Sequence, residues 1–301
     1  MKFSPVLLGL SLAVAGSSLT AAQDASTSSI PAVLQITREY VKPYKNGMAH
    51  DKTESAFVAA FTKAKYPAHY IGLSSMSGRS RSLFLTQYSS FAELEKVNKI
   101  LDKNPTLGAD LERAGLADGD LLDQLDTAVF TYDAELSYHP HADISHARYF
   151  EIEVFHVRPG RLKEWYTNMK MYKDVMDKGN PSAHWATFEV AYGAEGGTYV
   201  CLTAYSSLAE IDQGIAAFPK VLEAAGGLDG LDKQDKIFGE AVDTYRTELF
   251  SVNPRQSYVS DEWIKSDIEF WKPKAAKATP ESAATKPAAK PAPPAAKPAS
   301  R

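Results

Sequence analysis

The chain has 301 residues, with 33 Lys and Arg against 37 Asp and Glu, a formal net charge of −4 and 44% hydrophobic residues. This is the composition of a globular protein with enough apolar side chains for a sizeable core. The acidic balance argues against nucleic-acid binding by the body of the protein, which needs clustered Lys and Arg, and the single cysteine, Cys201, excludes an internal disulfide.

Residues 1–22 read as a secretory signal peptide. Lys2 supplies the positive start, an apolar run extends from Val6 to Val14, and Thr20-Ala21-Ala22 places small residues before a cleavage point after Ala22. The run is shorter than the roughly 20 apolar residues of a membrane span, and no second run of that length follows. The expected location is periplasmic or secreted, with no membrane span.

The first structured stretch, residues 30–138, begins with a β-rich run over 33–41. A helix follows over 51–65, with Asp51 and Glu54 as a capping pair. Strands at 69–76 and 82–88 flank a Ser77-Gly78 turn. A second helix opens on Ser90 with Glu93 three residues on. A Gly- and Asp-rich stretch follows, and a last strand covers 128–136. A linker carries His139, His141 and His146, whose spacing fits no zinc template.

Residues 147–258 repeat this order. A strand spans 150–157 and a helix 161–178, where Leu162, Trp165, Met169, Tyr172 and Met176 form one apolar stripe. Strands at 184–192 and 198–205 enclose Glu195-Gly196-Gly197. Ser207 with Glu210 repeats the capping box, Gly226, Gly227 and Gly230 read as loop, and a strand covers 241–250. The copies also match directly. Tyr88-Ser89-Ser90-Phe91-Ala92-Glu93-Leu94 aligns with Tyr205-Ser206-Ser207-Leu208-Ala209-Glu210-Ile211, and Val41-Lys42-Pro43 with Val157-Arg158-Pro159. Two copies at so long a period indicate a duplicated domain rather than a solenoid. The fold class is α+β, two tandem ferredoxin-like βαββαβ repeats.

Residues 259–271 carry Trp263, Ile264, Ile268 and Trp271 and read as a C-terminal helix closing over the body. From 272 to 301 the chain is nearly all Ala, Pro and Lys, with Lys272, Lys274, Lys277, Lys286, Lys290, Lys297 and Arg301 against Glu281 alone. That tail has nothing to bury and reads as disordered. Its basic charge suits contact with anionic envelope polymers.

The segment Val157-Arg158-Pro159-Gly160-Arg161-Leu162-Lys163-Glu164-Trp165 resembles the strand-to-helix corner of NIPSNAP-like and antibiotic-monooxygenase-like proteins of the dimeric α+β barrel superfamily. The first copy departs from it at Pro43-Tyr44-Lys45. The resemblance implies that the two repeats form one pseudo-dimeric α+β barrel with helices outside. By analogy with haem-binding members it also raises His156 as a ligand, although nothing around His156 matches such a motif.

Strand alternation sorts the remaining candidates. Phe150, Ile152 and Val154 share one face, and Glu151, Glu153 and Phe155 the other; the equivalent polar face of the first copy carries Gln35, Thr37 and Glu39. The more apolar face is expected to pack on the helices and the polar one to line the barrel interior. The expected ligand site is therefore interior and weighted to the second copy: Glu151, Glu153, Trp185, Glu189, Tyr199, Arg246 and Glu248. No nucleophile elbow, phosphate loop or dinucleotide fingerprint occurs, so no catalytic residue, cofactor or metal is assigned. Three functions are compatible with this pattern: a small-molecule-binding barrel, a cofactor-free monooxygenase-type enzyme acting on an aromatic substrate, and an envelope interaction module without catalysis.

Overall fold

A computed structural model of the chain describes residues 30–272 except Asn46 and Ala142. The expected signal peptide and most of the basic tail lie outside the described residues. The elements run β1 (Val33–Val41), α1 (Met48–Ala64), β2 (Tyr70–Ser75), β3 (Arg81–Tyr88), α2 (Phe91–Asp102), α3 (Pro105–Gly119) and β4 (Leu122–Tyr138). They continue with β5 (Tyr149–Val157), α4 (Leu162–Gly179), β6 (Trp185–Tyr192), β7 (Thr198–Tyr205), α5 (Ala209–Ala216), α6 (Phe218–Ala224), α7 (Gly227–Ala241), β8 (Val242–Val252), α8 (Asp261–Ser266) and α9 (Ile268–Trp271). No helix among the described residues is long and apolar enough to cross a membrane.

The eight strands close into a barrel in the order β1-β3-β2-β8-β5-β7-β6-β4, and β4 completes the ring on β1. Every pairing is antiparallel. One face of all eight strands forms a single apolar cluster, which includes Leu34, Leu73, Leu85, Phe130, Ile152, Phe188, Val200 and Phe250. In a closed barrel that shared face is the inside. The opposite face of β5 and β7 supplies Phe155, Val157, Tyr199 and Cys201, which pack with Trp165, Met169 and Met176 of α4. Val33 and Tyr88 likewise pack with Ala60, Val97 and Leu107 of α1, α2 and α3.

This reverses the expected sidedness. The more apolar face fills the barrel, carrying the Arg38–Asp126 and Arg81–Glu248 pairs beyond its aliphatic cluster, and the mixed face of Gln35, Thr37, Glu39, Glu151 and Glu153 turns to the helices. The interior of an eight-stranded barrel is just wide enough to be filled by side chains, and aliphatic groups fill it without leaving a polar atom unpaired.

Several local expectations also change. Helix α1 starts at Met48 behind Gly47 (φ 87°), so Asp51 lies inside the helix and does not cap it. Ser90 does cap α2, accepting from the Glu93 amide. In the second half Leu208 takes the N-cap position, and Glu210 instead accepts from the Ser206 amide and hydroxyl. The Gly- and Asp-rich stretches are helical: Asn104 caps α3 with Pro105 at its first position, and Gly227 and Gly230 lie in α7.

The C-terminal segment is tied to the sheet. The Tyr70 amide donates to the Tyr258 carbonyl, the Tyr258 amide returns the bond, and the Asn253 amide donates to Gly72 O. Beyond it, Trp271 is buried against the barrel cluster, and its indole N–H donates to Ser145 O at 3.1 Å. The close crossing depends on Gly72, where a Cβ would lie 2.5 Å from the Gln256 carbonyl oxygen. Gly72→Ala should therefore push the 253–258 segment off β2. The expected cost is about 1–3 kcal/mol, as for other overpacking changes, read as a fall of several degrees in Tm; an unchanged Tm would show that the crossing is looser than described.

Candidate functional site

Of the residues expected to share an interior site, Glu151, Glu153, Trp185, Glu189 and Tyr199 lie on the helix-facing side, whereas Arg246 and Glu248 share the inward face with their register partners Val154 and Ile152. Glu151 and Glu153 lie opposite Thr203 and Cys201 in the β5–β7 register. Burial raises the Glu151 pKa, and burial together with Glu151 pushes Glu153 up to about 7. Trp185 is a buried core residue whose indole N–H donates to Leu136 O at 2.8 Å. Tyr199 packs against Trp165 with ring centroids 5.4 Å apart; burial first and Glu189 second raise its pKa. Arg246 is exposed, and its Nε lies 3.5 Å from Glu248, which also pairs with Arg81. His156 sits beside Glu195 at 3.7 Å, in an open cleft with Arg38 and Tyr245.

A tighter constellation lies in the first half. The β1–β3 register sets Glu39 opposite Ser82. On α1, His50 and Glu54 are one helical turn apart and so share a face, and that face meets Glu39. Helix α3 brings Asp118 to the same point. All four are buried: His50 is 1% exposed, Asp118 2%, Glu54 3% and Glu39 8%. The His50 Nε2 atom lies 3.1 Å from Glu39 Oε2, 3.4 Å from Asp118 Oδ1 and 3.9 Å from Glu54 Oε1. One donor atom from each residue falls within 4.8 Å of all the others.

Neighbouring groups hold the ring and the carboxylates in place. The His50 Nδ1 atom faces Ser82 Oγ at 3.4 Å and Gln256 Nε2 at 3.3 Å. The Ser82 hydroxyl donates to Gln256 Oε1 at 2.9 Å, and Gln256 Nε2 donates to Asp51 Oδ1 at 3.0 Å. Thr53 donates to Asp118 Oδ1 at 2.6 Å. The crossing over Gly72 thus delivers Gln256 to the histidine, and Asp51, left free by the start of α1 at Met48, holds Gln256.

One atom is left over. Glu54 Oε1 is buried and has no hydrogen-bond partner among the described residues. Burial, then the charges of Glu39, Asp118 and Asp51, push the Glu54 pKa up to about 10, and burial likewise raises Glu39 despite its bond to His50. Without a ligand, the cluster cannot keep its three carboxylates ionised together.

Glu39 and Glu54 also line a cleft of about 220 Å³ that opens outward between Thr37, Phe57, Phe61, Tyr70, Phe84 and Thr86. The corresponding place in the second half is filled. The β5–β7 register sets Phe155 opposite Tyr199, as β1–β3 sets Glu39 opposite Ser82. Trp165 packs on both, at 5.1 and 5.4 Å between ring centroids. An aromatic triad thus occupies, in the second half, the position that holds the buried polar cluster in the first half. The sequence did carry one unread signal for it, the four-residue spacing of His50 and Glu54.

The sequence matches no protein-family model and no curated protein. Solved structures of similar form include a provisionally assigned monooxygenase from Fusobacterium nucleatum, at 10% identity over 74% of this chain and 93% of its own, with a TM-score of 0.47. An anthrone oxidase-like protein aligns at 10% identity over 77% of this chain and 96% of its own, with a TM-score of 0.45. A mutant chlorite dismutase from Candidatus Nitrospira defluvii aligns at 9% identity over 79% and 96%, with a TM-score of 0.46. Similarity at this level says nothing of activity.

The Glu153 shift has a sign that can be checked. Between its ordinary 4.5 and about 7, the folded chain holds a proton that the unfolded chain has released. Its stabilisation is complete below pH 4.5 and is lost as pH rises through 7, with a slope of at most about 1.4 kcal/mol per pH unit. Glu153→Gln should flatten the curve of stability against pH in that window, measured by urea unfolding. An unchanged slope would place the Glu153 carboxyl in water.

Proposed function

We propose that this chain is an exported ligand-binding protein of the dimeric α+β barrel type, in which two duplicated repeats form one pseudo-dimeric barrel. Its ligand enters the cleft between β1, β3 and α1. The observation that carries this reading is the unpartnered Glu54 Oε1 atom, in a carboxyl group that also lines an open, aromatic-walled cleft. A buried polar atom without a partner costs on the order of 1–3 kcal/mol, and a ligand group supplied through the cleft removes that cost. Phe57, Phe61, Tyr70 and Phe84 suit a flat apolar body, and Glu39, Glu54 and the Thr37 and Thr86 hydroxyls suit a polar end.

Export rests on the N-terminal signal, where Lys2, the apolar run from Val6 to Val14 and Thr20-Ala21-Ala22 stand in order. The basic tail is the part suited to anionic envelope polymers. The largely apolar barrel interior agrees with an interaction module; the cleft in the first half favours binding over a purely structural role.

A second reading is a monooxygenase-type enzyme. The buried Glu39–His50 pair, 3.1 Å apart beside the cleft, has the form of a base held by a carboxylate. The resemblance to antibiotic-monooxygenase-like proteins points the same way.

A thermal-shift screen of the full mature chain against small aromatic acids, amides and phenols tests the binding reading. Compounds that raise Tm should lose at least tenfold in affinity, about 1.4 kcal/mol, when Phe84 is changed to Ala, while Trp263→Ala at the barrel end leaves binding intact. No stabilising compound, or stabilisation indifferent to Phe84, would contradict it.

A further inference from the structure

We propose that Glu39, His50, Glu54 and Asp118 form a binding site for one divalent first-row transition-metal ion, which rests on the reading that the adjoining cleft is a functional entrance. Three carboxylates meet where each residue is less than a tenth exposed, and buried charges need compensation. Among the described residues, no Lys or Arg nitrogen lies within ion-pair distance of Glu39, Glu54 or Asp118. The nearby guanidinium groups are already engaged: Arg38 with Asp126, Arg81 with Glu248 and Arg255 with Asp51. Only protons or a bound cation remain to neutralise the cluster.

Geometry selects the cation. Two ligands on opposite sides of an ion with bonds of about 2.0–2.2 Å are about 4.2 Å apart, and adjacent ligands are closer. The 3.1, 3.4 and 3.9 Å separations from His50 Nε2 fall in that range. The outermost pair, within 4.8 Å, needs only a small contraction. The unpartnered Glu54 Oε1 points to a missing fourth contact, because the other three donors already have neighbours.

The surroundings fit as well. Metal-bound histidines usually have their second ring nitrogen held by a hydrogen-bond partner, and bound carboxylates are held in turn. Ser82 Oγ stands at His50 Nδ1, 3.4 Å away, and Thr53 holds Asp118. With the ion on Nε2, the ring proton sits on Nδ1 and is donated to Ser82 Oγ. One imidazole with three carboxylates is a mixed nitrogen and oxygen set. It suits Mn2+, Fe2+ or Zn2+, whereas Ca2+ takes six to eight oxygens and copper(I) takes thiolates. The cleft on Glu39 and Glu54 gives the ion a way in and leaves one side open to a small ligand.

The test uses the full mature chain, stripped with EDTA and dialysed against Mn2+, Zn2+ or Ca2+ in turn. One Mn2+ or Zn2+ per chain should be retained. Each should raise Tm by roughly 5–10 °C at a hundredfold excess over its dissociation constant, and Ca2+ should not. Glu54→Gln and Asp118→Asn, which keep size and remove charge, should each weaken retention at least tenfold. Electron spin-echo spectra of the Mn2+-loaded native chain should show coupling to one imidazole nitrogen, a readout independent of any variant. The inference is overturned if neither ion is retained. It is also overturned if retention survives both substitutions, which would place the ion at the exposed linker histidines or the tail. Cleft compounds that bind an EDTA-treated chain incapable of holding metal would sink the metal site and leave the binding reading standing. Metal retention with no cleft ligand would do the reverse.

Discussion

A closed eight-stranded barrel has room inside for side chains and little else, and the rest of this molecule is arranged around that constraint. Leu34, Leu73, Leu85, Phe130 and Phe250, each almost fully buried, fill the interior together with their neighbours from every strand. Apart from the Arg38–Asp126 and Arg81–Glu248 pairs, polar chemistry is thereby kept out of the place where a barrel most obviously offers a cavity. It is displaced to the other face of the sheet, where helices lie across the strands. There the strands carry polar residues such as Gln35, Thr37, Glu39, Glu151 and Glu153 among apolar ones, and the helices contribute groups of their own. Glu39 can meet His50, Glu54 and Asp118 only because it points away from the barrel.

Having displaced polar groups to the helix side, the fold treats its two halves differently. In one, Phe155, Trp165 and Tyr199 close the space with aromatic surface. In the other, the same register positions carry Glu39 and Ser82, and the space is held by charge. The first solution stabilises by apolar burial. The second costs stability unless something neutralises it. The C-terminal segment reinforces the costly half: its crossing over Gly72 places Gln256 between Ser82, His50 and Asp51. An expensive cluster with its own supporting bonds is the pattern of a site maintained for a ligand.

Much of the architecture was legible in the sequence because it depends on local pattern. The alternation over Val33–Val41 and Tyr149–Val157 and the Ser90 cap appear where the residues place them, and Trp165, Met169 and Met176 of the α4 stripe are buried while Leu162 and Tyr172 are exposed. The sidedness was not legible. Alternation shows which residues share a face, but when both faces are buried it does not show which one looks inward. The helices in the Gly- and Asp-rich stretches were masked by composition, although Asn104 followed by Pro105 is a helix-start signal. That miss hid Asp118, which lies in α3. His50 and Glu54 stood four residues apart in plain view, but Asp51 and Glu54 drew attention as a cap, and Gly47 had already started the helix. The remaining ligand, Glu39, is 79 positions from Asp118, a separation only the tertiary fold resolves.

We place the functional centre between the sheet and α1 of the first half, not inside the barrel. A crystal structure of the full mature chain soaked in Mn2+, with anomalous data, tests it most directly. The account predicts one strong anomalous peak about 2.0–2.2 Å from His50 Nε2 and from carboxylate oxygens of Glu39, Glu54 and Asp118. A cluster without such a peak, with Glu54 swung out to solvent or closed by a protein hydrogen bond, would contradict it.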